Sequence, residues 1–283
     1  MRFVHTFVVC TACLFPGLGY AAAIQSDVSV NFDTPAELQS TVDQFRDDLG
    51  ANNGNAPVNG DPNGRRQIDW DGAPDAISDP NPFPGDFFNF NAAPRARGIE
   101  FKESGDTTGF ELSATEASGT PPVFGQPNDF VAFSPERLFT PVGGTTFDVH
   151  FFDPADQVTP ALSRGLGVVF SDVEEANITS MTFYDIDDNV LAKRYAKAGK
   201  NQSLSFLGVI FDEAVIASVS FEVGSSVFDG EGFLDPGDKV VMDDFIFGEP
   251  VPIDLAPVPL PAGAVLLLTG VAALGWRRKV QKS

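Results

Sequence analysis

The chain has 283 residues, with 39 acidic side chains against 18 basic ones and a formal net charge of −21. A field of that sign repels nucleic acid and anionic lipid, which excludes nucleic-acid binding, while it favours solubility and attracts cations, calcium among them. Phe is abundant at 27 against three Tyr and two Trp, and the 27 Gly and 22 Pro gather between apolar runs, so the chain is a packed one and not a disordered one.

At the start, Arg2, an apolar stretch over 7–15, Pro16-Gly17 and the small residues Ala21, Ala22 and Ala23 predict a secretory signal peptide over 1–23. Cys10 and Cys13 both fall inside it. Their C-x-x-C spacing therefore carries no redox or metal role, and the mature chain is held by its core without disulfides. With 1–23 and 263–283 removed, all 39 acids remain against 13 basic residues, a balance of −26. The secreted domain is expected over 24–248, with an irregular insertion at about 51–97.

Residues 28–33 alternate and predict a first strand. A helix follows: Thr34 as N-cap, Pro35 at the first helical position, Glu37 closing a capping box, then Leu38, Val42, Phe45 and Leu49 on one face, and Gly50 at the end. One apolar face predicts packing on a sheet. Residues 51–64 read as an exposed loop rich in turn residues, and 65–98 as ordered but irregular. Strand signals then recur at 98–102, 109–114, 146–152, 165–172, 178–185, 189–195, 203–212, 217–223 and 239–248. The pair 178–185 and 189–195 is separated by a hairpin-length gap. Short strands with turns between them and one long helix predict a mainly β fold, an antiparallel β-sandwich of jelly-roll type. Residues 249–257 read as an extended, Pro-rich linker.

The end of the chain has three parts. Val258, Pro259, Leu260, Pro261 and Ala262 open it; no charge occurs from 258 to 276, and Arg277, Arg278 and Lys279 follow. Nineteen residues span about 28 Å as a helix, near the lower limit for a hydrocarbon core of about 30 Å. This predicts a C-terminal transmembrane helix with a basic stop-transfer cluster on the cytoplasmic side, so that the acidic domain lies outside. The three-part tail resembles the VPLPA type of PEP-CTERM sorting signal of Gram-negative bacteria. The resemblance covers about the last 26 residues and implies recognition by an exosortase-type transpeptidase, transient anchoring in the inner membrane, cleavage at or near the motif, and delivery to the cell surface or extracellular space, often alongside exopolysaccharide. The body is similar to a set of secreted bacterial proteins of unassigned activity, through Gly64-Arg-Arg-Gln-Ile-Asp-Trp-Asp-Gly72, Phe83-Pro-Gly-Asp-Phe-Phe-Asn89, Arg164-Gly-Leu-Gly-Val-Val-Phe-Ser-Asp172 and Val241-Met-Asp-Asp-Phe-Ile-Phe-Gly248.

Candidate chemistry is sparse. The mature chain has one histidine, His150, on the strand over 146–152, where the pleat sets it opposite Val149 and Phe151; with no thiol present, neither a triad nor a zinc site is expected. Calcium, which takes oxygen ligands, is the better-matched ion. Two oxygen-rich sets are candidates for it: Asp185, Asp187 and Asn189 in a turn that departs from an EF-hand at Val190, and Asn31 and Asp33 of the first strand joined to Asp243 and Asp244 of the last. Trp70 between Asp69 and Asp71 has the makings of a sugar-contacting group. The expected function is an exported envelope or matrix protein, structural or glycan-contacting; the alternative is an extracellular carboxylate-dependent glycan hydrolase or lyase, since that chemistry needs only two acids at a set separation.

Overall fold

The computed structural model describes residues 22–234 and 236–253. The signal peptide expected over 1–23 lies outside the described residues up to residue 21, as do the whole of the expected sorting motif, membrane segment and basic tail over 258–283. No helix among the described residues is long and apolar enough to cross a membrane.

The fold is mainly β, with antiparallel sheets and one long helix. The first strand, β1 (Ile24–Phe32), leads into α1 (Pro35–Leu49). The helix begins and ends where its caps predict. The Thr34 hydroxyl accepts from the Glu37 amide at 3.4 Å and donates to the Glu37 carboxylate at 2.9 Å, while the Gly50 amide, at φ 98°, closes on the Arg46 and Asp47 carbonyls. There follow β2 (Arg65–Ile68), β3 (Ile99–Glu103), β4 (Gly109–Leu112), β5 (Phe139–Val142), β6 (Thr146–Phe151), β7 (Ala161–Leu162) and β8 (Gly165–Ser171). The chain continues through β9 (Ser180–Tyr184), β10 (Val190–Tyr195), β11 (Leu204–Phe211), β12 (Ser218–Glu222), β13 (Val241–Gly248) and β14 (Val251–Pro252).

A larger sheet runs in the order β1-β11-β8-β13-β5-β4, with β2 also paired to β13; a second runs β10-β9-β12-β6-β3, and β14 pairs with β7. The two main sheets face each other across one core. Phe183 meets Phe211, Phe151 meets Phe247, Phe221 meets Phe245 and Phe147 meets Phe139, with ring centroids 5.8 to 6.3 Å apart. The period of two explains which residues reach it: Phe147, Val149 and Phe151 of β6 and Phe101 of β3 point inward, and their neighbours point out.

The larger sheet is covered on its other face by α1. Leu38, Val42, Phe45 and Leu49 pack on Val169, Leu204, Phe206, Ile210 and Ile246, which is why every residue of β8, β11 and β13 is buried. Gly167 and Gly208 stand opposite each other in register beneath Phe45, and a Cβ on either would sit 2.6 Å from its ring. Their lack of a side chain is what lets the helix lie this close.

One irregularity organises the last strand. On β13, Met242 pairs with Phe170 and Phe245 with Val168, so three steps on β13 match two on β8. This is a β-bulge, and its extra residue turns the side chains of Asp243 and Asp244 to the same partner, Ser134, instead of to opposite faces.

The linker expected over 249–257 begins later than its composition suggests. Glu249 is fully packed, Val251 and Pro252 form β14, and the Ile253 amide donates to the Pro160 carbonyl. Glu249 meets Arg66 in a buried, two-pronged ion pair, Nε to Oε2 at 2.7 Å and Nη2 to Oε1 at 2.8 Å. The loop over 51–64 folds around that pair and is not simply exposed. Gly60 N and Asn53 Nδ2 donate to Glu249, and the carbonyls of Gly54, Ala56 and Val58 accept from Arg66.

Candidate functional site

The outer face of the five-stranded sheet is built by register. Read across the strands, Lys102, Asp148, Ser220, Thr182 and Lys193 form one row; Glu100, His150, Ser218 and Tyr184 form the next; Thr146, Glu222, Ser180 and Tyr195 form a third. On β6 and β12 these side chains alternate with the inward-facing Phe147, Val149, Phe151, Val219 and Phe221, so a single pleat produces both the core and this polar face.

Two depressions indent the face. The larger, about 400 Å³, is lined by Thr146, Asp148, Thr182, Lys193, Ser220 and Glu222, with Ser104 and Ser180 beside them. The smaller, about 320 Å³, holds His150, Lys102 and Phe152 with the β9–β10 turn (Asp185, Ile186, Asp188) and Ile253 at its rim. Both lie in the size range of small-ligand pockets. Within the larger one the Ser220 hydroxyl donates a hydrogen bond to Asp148, and Lys193 Nζ lies 3.6 Å from Glu222. In the smaller, burial and the nearby Lys102 ammonium lower the His150 pKa, which holds its imidazole neutral around pH 7. Such a face offers hydrogen-bond donors and acceptors of both kinds and an exposed aromatic edge at Tyr195, the equipment for a polar, hydroxyl-rich ligand.

No protein-family model matches this chain, and no curated protein matches it. The reading of the site therefore rests on its own geometry.

The residues expected to hold calcium are dispersed. In the larger sheet, β11 and β8 separate β1 from β13, so Asn31 and Asp33 are held away from Asp243 and Asp244. Asn31 Nδ2 donates to the Ser203 and Ser205 hydroxyls, and Asp33 meets Lys200 at 2.9 Å. Asp243 is occupied by the Phe133 amide at 2.6 Å and the Ser134 amide at 3.1 Å, and Asp244 by Arg46 at 2.6 Å. Asp185 uses its carboxylate inside its own turn, accepting from the Asp187 and Asn189 amides and the Asn189 side chain, while Asp187 contributes its backbone. Among the described residues no group of three or more His, Cys, Asp or Glu side chains is disposed to hold a metal ion.

Trp70 is corrected by burial. It is 1% exposed, stacked on Phe139 at 4.4 Å and edge-on to Phe83, Phe88 and Phe245, with Nε1 donating to the Asp243 carbonyl at 2.7 Å. Neither face of the indole is open to a sugar. Its backbone sits at φ 66°, a left-handed conformation rare for a bulky residue, and this turn directs the ring inward. Asp71 accepts from the Arg137 amide, and Asp69 lies between Asp71 and Asp244, close enough to raise the pKa of both.

Several carboxyls lose solvation in the fold: Glu111, Asp172, Asp238, Asp243 and Asp244 are buried, Asp79 is half-buried, and Asp71 lies at the surface. Desolvation lifts Asp71 to about 6, Asp172 to about 7 and Glu111 to about 7, and raises Asp79, Asp238, Asp243 and Asp244 as well. In the unfolded chain these groups titrate near 4. Between about pH 4 and 7 the folded state thus binds more protons, so their contribution is complete below about pH 4 and lost as pH rises through 6 to 7. The opposite case is Asp156, Asp185 and Asp229, whose pKa values are lowered and whose contribution is lost on acidification. The melting temperature is expected to peak in mildly acidic buffer and to fall between pH 5 and 8. Calorimetric scans across that range check it, and a flat profile would mean the buried carboxyls are ionised in the fold.

Sequence reasoning did not nominate Asp148, Ser220, Thr182, Lys193 or Glu222. Their strands were visible as alternating runs, but an outward-facing polar residue looks alike on any sheet; the signal lies in the register, which brings five strands of separate origin side by side.

Proposed function

We propose that this chain is an exported cell-envelope or extracellular-matrix protein, sorted by an exosortase-type transpeptidase and contacting a glycan through the outer face of its five-stranded sheet. The observation that carries the contact is the register-built polar face with its cavity of about 400 Å³. The export and sorting steps rest on the signal-like start and the VPLPA-type tail, with the inner membrane as a transient station before processing. Calcium enters this reading only as a counter-ion to an acidic surface in an extracellular setting.

The proposed frame is a jelly-roll. Its support is strand order: β5-β13-β8-β11 in one sheet and β6-β12-β9-β10 in the other, with the chain passing repeatedly between the two. That is the order two Greek keys produce when they close on each other. In such a frame β1, β3 and β4 are additions at the sheet edges.

Purified protein is expected to bind one or more cell-surface polysaccharides in a pull-down, and Thr182→Val with Ser220→Ala is expected to weaken that binding by about tenfold, the loss of two hydrogen bonds of about 0.5–1.5 kcal/mol each. No binding to any surface polysaccharide, together with unaltered envelope and biofilm in a deletion strain, would overturn the proposal.

A further inference from the structure

The larger cavity contains a carboxylate that no basic side chain neutralises. Lys193, on one side, is committed to Glu222 at 3.6 Å and to the Tyr195 ring at 5.3 Å. Lys102, the register partner of Asp148, turns away to Glu100 at 3.6 Å and stands over the Phe152 ring at the smaller cavity. Among the described residues no Lys, Arg or His pairs with Asp148; what it receives is the Ser220 hydroxyl proton. That bond occupies one carboxylate oxygen, Oδ1, in a cavity that Thr146 and Thr182 also line.

A group that completes this arrangement brings positive charge and hydroxyls at once. We infer that the larger cavity takes an amine-bearing sugar of a cationic glycan, with its ammonium on Asp148 and its hydroxyls on the surrounding Ser and Thr side chains. The inference rests on the glycan-contacting reading and adds the charge of the ligand. An ammonium and a carboxylate form a charge-assisted hydrogen bond, among the stronger polar contacts. The wider field acts in the same sense: a chain of net charge −21 attracts a polycation and repels a polyanion such as a uronate polymer. Asp148 is half-buried, which shields the pair from salt more than a fully exposed pair would be.

Isothermal titration of the purified full chain with three probes tests it: a glucosamine oligomer with free amines, its fully N-acetylated counterpart, and a glucose oligomer, at about pH 6 and low ionic strength. The free-amine oligomer is expected to bind tightest, and Asp148→Asn to weaken it by about tenfold or more, the magnitude of one hydrogen bond to a charged group. The same variant is expected to leave the N-acetylated oligomer unaffected. Glu231→Gln removes the same charge from an exposed loop and is expected to change little; equal losses in the two variants would reveal general polyelectrolyte attraction and overturn the inference. Neutral oligomers binding as well as the free amine would also overturn it while leaving the glycan reading intact. If none of the three probes binds, the inference falls, and the polysaccharide pull-down decides separately whether the broader reading falls with it. Retention of the wild-type melting temperature by Asp148→Asn assigns any loss to the cavity and not to unfolding.

Discussion

Replacing Glu249 with alanine is expected to lower the unfolding free energy by about 3–5 kcal/mol, the cost of leaving one member of a buried ion pair alone. Arg66 is 0% exposed and its guanidinium would lose both carboxylate contacts, at 2.7 and 2.8 Å. The damage extends beyond the pair. Glu249 also receives the Gly60 amide at 2.7 Å and Asn53 at 2.8 Å, and Arg66 donates to the carbonyls of Val58 and Ala96, each at 2.7 Å. Many buried ion pairs can be exchanged for apolar side chains of similar volume at little cost. Here that exchange is expected to fail, because an Arg66→Met and Glu249→Leu double variant strands the loop groups that the pair satisfies. Urea denaturation of the single and double variants measures this, and limited proteolysis should find faster cleavage within 51–64. A double variant as stable as the wild type would show that the loop finds other partners.

Trp70→Ala is expected to be comparably severe, about 3–5 kcal/mol, as for other large aromatic deletions in a core. The indole fills the space between Phe83, Phe88, Phe101, Phe139 and Phe245 and satisfies the Asp243 carbonyl at the bulge. Trp70→Phe keeps the stacking on Phe139 and gives up the Nε1 hydrogen bond, so a smaller loss of about 1–2 kcal/mol is expected. The only other tryptophan is Trp276, outside the domain, so in a chain processed near the motif the intrinsic fluorescence of Trp70 reports unfolding directly. Had Trp70 been a ligand-contacting residue, its alanine variant would melt like the wild type and lose binding; the burial of the ring leads to the reverse result.

These two residues also mark where the sequence could and could not be read. The helix was legible to the residue, because Thr34, Pro35 and Gly50 act locally and the 3.6-residue spacing of Leu38, Val42, Phe45 and Leu49 needs no tertiary context. Strands with clean alternation, such as Thr146–Phe151 and Ser218–Glu222, were legible for the same reason. Arg65–Ile68 was not: two arginines and a glutamine suggest a solvated segment, and it becomes a strand because Arg66 finds a partner 183 residues away. Phe139–Val142 was hidden by Pro141, which a strand tolerates where the missing amide is not needed. In the candidate site the individual polar residues were visible, but their adjacency was not, because that depends on strand order. The calcium grouping of Asn31 and Asp33 with Asp243 and Asp244 assumed that the first and last strands are neighbours, and two strands lie between them.

The close of the domain has a mechanical consequence. A pull on the chain from the C-terminal side of Ile253 meets the two-residue ribbon of β14 and β7 first, whose few bonds give way in turn. Glu249 comes next, cross-linked to Arg66, Asn53 and Gly60, and only behind it lies β13, clamped between β8 on one side and β2 and β5 on the other. The domain thus has a soft coupling in series with a stiff one. Weak tugs are absorbed at the ribbon, and the central strand bears load only after a buried charge pair has been torn open.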